Sequence, residues 1–300
     1  MELELPPSPF TWSDARAAGI SRRALDDAVE CRLVRRVLRG VYVAADVPDS
    51  PLLRAQAARL VVSPYSVLCD RTAAWVLGVS VHDYRELDVI PPIESYVLRG
   101  HDPTDRPECA GGTRDLRPED WVEVEGVRVT TPLRTAMDLG CVLDRRSGLA
   151  AMDALMRAYG FTVADMVRVL PRYFRRRGVR RLRTIVTLAD PRSESRSESW
   201  VRLEIIDNGL PSPVLQHWVV IDGIPTYRLD LSYPHARVAV EYDGEDFHTR
   251  PEDRERDLRR RDHLRELGWT IIVLTKRDFA PGAVDAWIDR VREALAGTRP

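Results

Sequence analysis

Arg228-Leu-Asp230-Leu-Ser-Tyr-Pro234-His-Ala-Arg237-Val-Ala-Val-Glu241-Tyr-Asp243-Gly244-Glu-Asp-Phe-His248 reads as two short strands closed by the tight turn at residues 234–237. With His235 and Ala236 as the two loop residues, Asp230 falls directly opposite Glu241, where facing Cβ atoms lie roughly 5 Å apart. Asp243 shares that face, being two residues on from Glu241, and Arg228 lies across from it. Tyr227, Leu229, Leu231, Val238, Val240 and Tyr242 form the other face, all apolar or aromatic. One side of the hairpin is therefore core and the other collects carboxylates. Facing carboxylates repel unless a cation holds them, and a hard divalent ion with oxygen ligands is the usual solution. The competing reading is an ordinary wet face carrying solvated acids and arginines. A third acid, a glycine after it and a histidine four further on narrow the pattern toward a metal site.

A chain of 300 residues exceeds the usual single core, so two or three domains are expected. Hydrophobic residues at 44% and charged residues at 30% place it among soluble globular proteins. The net charge of −1 excludes a chain-wide basic signature, so contact with nucleic acid has to come from local clusters. The basic residues are almost all arginine, Lys276 being the sole lysine. Cys31, Cys69, Cys109 and Cys141 lack metal-ligand spacing and read as buried, reduced thiols. The acidic, proline-broken start is no signal peptide, and no apolar run approaches a membrane span, so a cytoplasmic protein is expected.

Three regions follow: residues 1–48, 49–190 and 191–300. In the first, Ser13 caps a short helix ended by Gly19, and Ser21 caps a second helix over 22–31. A hairpin with its turn at Gly40 comes next. Helix, turn, helix, hairpin is the order of a winged helix-turn-helix. Arg22 and Arg23 open the helix that would enter the major groove, and Arg35, Arg36 and Arg39, with Arg32 nearby, lie on the wing where phosphates would be. The alternative is a solvated or protein-docking face.

The middle region reads as mostly helical: helices over 52–62, 67–77, 132–143, 147–159 and 163–170, strands at 87–90 and 96–98, and a hairpin at 121–129 turning on Glu125-Gly126. The run from Arg175 to Arg183 either grips phosphates or is the wet face of a helix. No catalytic chemistry is recognisable there. The last region begins in the polar stretch 191–199 and gives a helix bearing Glu198 and Arg202 on one face. Strands at 214–221, 227–232 and 238–243, a charged helix at 252–267, a strand at 269–274 and a helix at 282–296 make an α/β sandwich on a mixed sheet.

On Glu198, Asp230, Glu241-Tyr-Asp243-Gly244, His248 and the later run Asp257 to Leu274, the C-terminal third resembles the restriction-endonuclease-like fold, in its branch similar to very-short-patch-repair endonucleases. Residues 10–45 resemble the winged domain of type IV toxin–antitoxin antitoxins of the abortive-infection class. Val129-Thr-Thr-Pro-Leu-Arg134-Thr-Ala-Met-Asp138 is similar, more loosely, to what often lies between such modules. The nuclease resemblance implies phosphodiester hydrolysis with Mg2+ or Mn2+. Asp230 and Glu241 would be metal ligands and Glu198 would complete the shell. The wider superfamily carries a lysine where this chain has Asp243. The repair branch uses a histidine, which His248 matches, and Arg228 or Arg261 would otherwise supply the missing positive charge.

The leading expectation is thus a metal-dependent DNA endonuclease targeted by a winged helix, with catalytic residues Glu198, Asp230, Glu241, Asp243 and His248. The alternative is a non-catalytic DNA-binding regulator or antitoxin with a toxin partner and a nuclease-like scaffold. RNA cleavage stands third, since a metal-activated water does not itself distinguish the sugars.

Overall fold

Two compact units, residues 1–143 with 158–182 and residues 144–157 with 183–300, make up the chain in a computed structural model that describes residues 5–81, 92–105, 109–244 and 251–297. The expected strand at 87–90 lies outside the described residues, as does His248.

In the first unit, helix α1 (Trp12–Ala17) starts two residues earlier than Ser13 would dictate. Thr11 is its cap, because the Thr11 hydroxyl takes the Asp14 N–H while the Asp14 carboxylate takes the Thr11 N–H (2.7 Å). Ser21 caps α2 (Arg22–Glu30) as expected. Strands β2 (Val34–Leu38) and β3 (Val41–Ala44) form the hairpin, and β1 (Phe10–Thr11) adds to β3, so the sheet order is β1-β3-β2. Phe10, Ala15, Leu25, Val34 and Tyr42 are the small core beneath.

The following stretch carries more strand among its helices than expected. It holds a five-stranded sheet in the order β6-β5-β4-β8-β7, from β4 (Ser66–Leu68), β5 (Ile93–Val97), β6 (Cys109–Thr113), β7 (Trp121–Val124) and β8 (Val127–Thr130). Val67 and Leu68, expected in a helix, are fully buried in β4, which pairs antiparallel to β5 and parallel to β8. A short apolar run bounded by polar residues does not tell a buried strand from a buried helix, and here α4 (Asp70–Val76) begins only after it. Helices α3 (Pro51–Arg59), α5 (Pro132–Val142), α6 (Arg145–Tyr159) and α7 (Val163–Val169) lie near their expected places. Gly178 precedes α8 (Val179–Val186) with φ of +85°, and a side chain there would collide with the Cys141 carbonyl. Cys69 and Cys141 are buried as expected, and burial pushes the Cys141 thiol up to about 11, but Cys31 is exposed and Cys109 half-buried.

In the second unit, β9 (Val214–Ile221), β10 (Ile224–Tyr233), β11 (Val238–Tyr242) and β12 (Thr270–Leu274) form a mixed sheet ordered β12-β11-β10-β9. The β11–β12 pair is parallel and is joined by α10 (Pro251–Glu266). Both faces of the sheet are covered. Val201 and Ile205 of α9 (Arg196–Asp207) and Trp287, Ile288 and Val291 of α11 (Val284–Ala296) pack with Leu231, Val238 and Val240. Leu264 of α10 packs with Trp269, Val219, Leu229 and Ala239. Leu229 and Leu231 therefore lie on opposite sides although they are two residues apart. The single apolar face expected from Tyr227 to Tyr242 is divided at Asp230. The register places Leu229 against His217 and Leu231 against Leu215, so Gln216 stands beside Asp230, and Gln216 is left-handed at φ of 54°. That residue turns β9, and β10 with it, over between the two cores. Among the described residues no helix is long and apolar enough to cross a membrane.

Candidate functional sites

The β10–β11 register pairs Leu231 with Val240 and Tyr233 with Val238, the register expected from the sequence, and Asp230 and Glu241 are the residues just beyond its last pair. The turn itself is a single 3-10 turn at 234–236, closed by Arg237 in the left-handed region (φ 47°). Glu198 joins the pair from α9. Burial first, then the charges of Glu198 and Glu241, push the Asp230 carboxyl up to about 7 against the pull of Arg260 and Arg228. Three of the sequence-derived site residues thus lie within electrostatic reach of one another. Each has its own local reason. Ser195 caps α9 and accepts the Glu198 N–H (3.1 Å), which fixes Glu198 in the first turn. Its Oε2 then accepts from the Glu194 N–H (2.9 Å) and Gln216 Nε2 (2.8 Å), so Glu198 is buried rather than an exposed salt-bridge partner. Arg202, four residues on, pairs with Asp153 instead (2.5 Å).

The cations differ from expectation. Arg228 does not face Asp243. It bonds Glu194 (2.7 Å), because the strand changes sides at Asp230 and residue 228 no longer continues the carboxylate face. Arg261 reaches Asp243 (2.9 Å) and approaches Glu241 (3.6 Å). The residue that sequence reasoning missed is Arg260: Nη2 donates to Glu241 Oε1 (2.6 Å) and Nη1 to Oε2 (3.1 Å), while Nη2 also donates to the Arg228 carbonyl (3.0 Å). Its signal was the run Arg259-Arg260-Arg261, but only the rotation of α10 about its axis selects the member that faces the sheet. As arranged, these residues do not fit a divalent ion. Both Glu241 oxygens already accept from a guanidinium, Glu198 Oε2 is bonded twice, and among the described residues no group of three His, Cys, Asp or Glu side chains is placed to hold a metal.

Of the arginines assigned to DNA contact, Arg22, Arg23, Arg36 and Arg39 are exposed. Arg22 lies against Trp12 and pairs with Asp26 (3.3 Å), and Arg36 lies over the Tyr42 ring. Arg35 is half-buried and donates to the Val47 carbonyl (2.9 Å), so it is a structural residue rather than part of an open basic surface. Asp26, Asp27 and Glu30 are exposed on the same helix as Arg22 and Arg23, which interrupts a continuous positive face.

The region that carried no recognisable chemistry holds the densest charge network. Asp138, fully buried, accepts from Arg134 Nε and Arg114 Nη1 (3.0 Å each) and from the Tyr173 hydroxyl (2.7 Å), and pairs with Arg176 (2.8 Å). Arg114 continues to Asp70 (2.7 Å), and Arg134 and Arg172 converge on Asp120 (3.0 and 2.6 Å). Arg134 and Asp138 are one helical turn apart in the motif Val129 to Asp138, which was the visible part of it. Asp70, Arg114 and Tyr173 come from distant segments.

Residues 66–188, which contain this network, match the AbiEi antitoxin C-terminal domain. The central part of the sequence is thus similar to an antitoxin domain. Over 273 residues the chain is 31% identical to the uncharacterized protein Rv2248 of Mycobacterium tuberculosis (strain ATCC 25618 / H37Rv), covering 90% of this chain and 97% of that protein. It has the same identity and coverage with the uncharacterized protein MT2308 of M. tuberculosis (strain CDC 1551 / Oshkosh). The chain belongs to the family of these mycobacterial proteins.

Proposed function

We propose that this protein is a DNA-binding regulator of the antitoxin class. Residues 10–45 act as a winged helix-turn-helix on DNA through Arg22, Arg23, Arg36 and Arg39. The antitoxin domain acts with a toxin partner, and the nuclease-like C-terminal part is a scaffold. The observation that carries this reading is the antitoxin match over residues 66–188, which comes one helix after a helix–helix–hairpin module with exposed arginines. The test is binding of the full-length protein to DNA from upstream of its own coding sequence, across a salt series, beside a chain lacking residues 1–48. The truncated chain should bind weakly and with a shallower salt slope, because each phosphate contact releases counterions. Equal affinity and slope would reassign the segment to protein docking.

A second reading, a metal-dependent endonuclease using Glu198, Asp230, Glu241, Asp243 and His248, is favoured by the crowding of Asp230 against two further acids. It requires Arg260 to release Glu241. Incubation with supercoiled, linear and mismatched DNA, and with RNA, in Mg2+, Mn2+ or EDTA separates the two. Metal-dependent cleavage lost in Asp230→Ala would displace the scaffold assignment.

A further inference from the structure

We propose that Arg260 is a built-in counter-ion: its guanidinium occupies the position a divalent cation would need on Glu241 and closes the carboxylate cluster of the second unit to metal. The inference rests on the scaffold reading above and deepens it. The guanidinium meets the carboxylate fork to fork, with one N–H on each oxygen at 2.6 and 3.1 Å. That geometry fixes both groups in one plane. A third bond, from the same side chain to the Arg228 carbonyl (3.0 Å), ties it to the strand that bears Asp230. Lysine offers one point charge and no such fork, so the chemistry selects arginine. Arg261 stands beside it, 3.6 Å from Glu241 and bonded to Asp243 (2.9 Å), and adds a second fixed positive charge.

A magnesium or manganese ion would need to bond these same oxygens directly, at about 2.0–2.1 Å for Mg2+. It would then lie within hydrogen-bonding range of a guanidinium of like charge. Nor is Glu198 open on its Oε2, which holds Gln216 and the Glu194 N–H. The acids therefore persist together without metal because α10 supplies their cation. Arg260 acts here as a positioning residue for Glu241.

The experiment is a titration of the full-length wild-type protein with Mn2+ into the millimolar range, reading free Mn2+ by electron paramagnetic resonance and melting temperature in parallel. Wild type is expected to show no saturable Mn2+ binding within the titrated range and to melt unchanged. Arg260→Met, with its fold checked by circular dichroism, is expected to bind at least about tenfold more tightly than wild type, the size of effect usual for groups that control a metal ligand. The double variant Arg260→Met/Asp230→Asn is expected to lose that gain. Saturable Mn2+ binding by wild type that disappears in Asp230→Asn would overturn the proposal whether or not Arg260→Met folds. A folded Arg260→Met that binds no better than wild type would overturn it too. DNA binding by the wild-type chain, measured separately, decides the regulator reading without bearing on the cation result.

Discussion

Replacing Asp138 by alanine should be among the most damaging single changes in the first unit. Its carboxylate is fully buried and serves three arginines and the Tyr173 hydroxyl. Without it, Arg114 keeps Asp70 and Arg134 keeps Asp120, but the Arg134 Nε and the buried tyrosine hydroxyl lose their acceptor. Breaking one side of a buried ion-pair network costs about 3–5 kcal/mol. For a unit of this size each kcal/mol moves the midpoint by roughly 2–4 °C, so the expected fall is about 6–20 °C. Asp138→Asn keeps the volume yet offers one acceptor oxygen and turns an amide donor toward guanidinium donors, so it should fall between wild type and alanine. Differential scanning calorimetry of the full chain reads all three. A drop below about 2 °C for the alanine variant would mean that solvent or neighbouring acceptors already satisfy these arginines, and would refute the network as a source of stability.

Arg36→Ala should reduce the salt slope of DNA binding by about one unit, whereas Arg35→Ala should leave the slope and cost about 1 kcal/mol of stability through its bond to the Val47 carbonyl. Salt-dependent anisotropy and chemical denaturation distinguish the two. Asp153 is held up to about 6 by burial, although Arg202 and Ser199 pull the other way. Its folded form keeps a proton that the unfolded chain releases near 3.8, so its stabilisation is fully present below that value and lost as pH rises through about 6. The contribution is about 3 kcal/mol, and the difference in stability between wild type and Asp153→Asn across that window should change accordingly; parallel curves would refute it. Gly178→Ala should destabilise by more than about 1 kcal/mol, since it forces a side chain into the left-handed region and onto the Cys141 carbonyl; an unchanged denaturation midpoint would show that the backbone relaxes there.

The hairpin register was readable because the short connection at residues 234–237 fixes every pair behind it, Tyr233 with Val238 and Leu231 with Val240. The helices around Thr131-Pro132 and Ser21 were readable from their capping side chains, and the one bearing Glu198 from the apolar spacing of residues 200–206. The change of sides at Gln216 was not, because glutamine gives no notice of a left-handed backbone as glycine or asparagine would. That hidden step moved Arg228 away from Asp243. The strand at Cys109–Thr113 escaped notice because its two glycines speak against a strand, and β4 was absorbed into a helical pattern it happened to continue. The Asp138 network was half legible: the arginine–aspartate pair within one helix was visible, whereas its other partners depend on tertiary folding.

The crossing of β9 and β10 between two cores also restricts how the chain can vary. In a strand that keeps to one core, a one-residue insertion can be absorbed as a bulge or by moving the error to the wet face. Here the same insertion before Asp230 would displace Leu229 and Val219 from one core while Leu231 and Leu215 hold the other in place. No shift of the strand relieves both. Length changes during divergence should therefore be excluded from residues 214–220 and 226–233 and collect at the Asp222-Gly223 tip, where both residues are already left-handed and exposed.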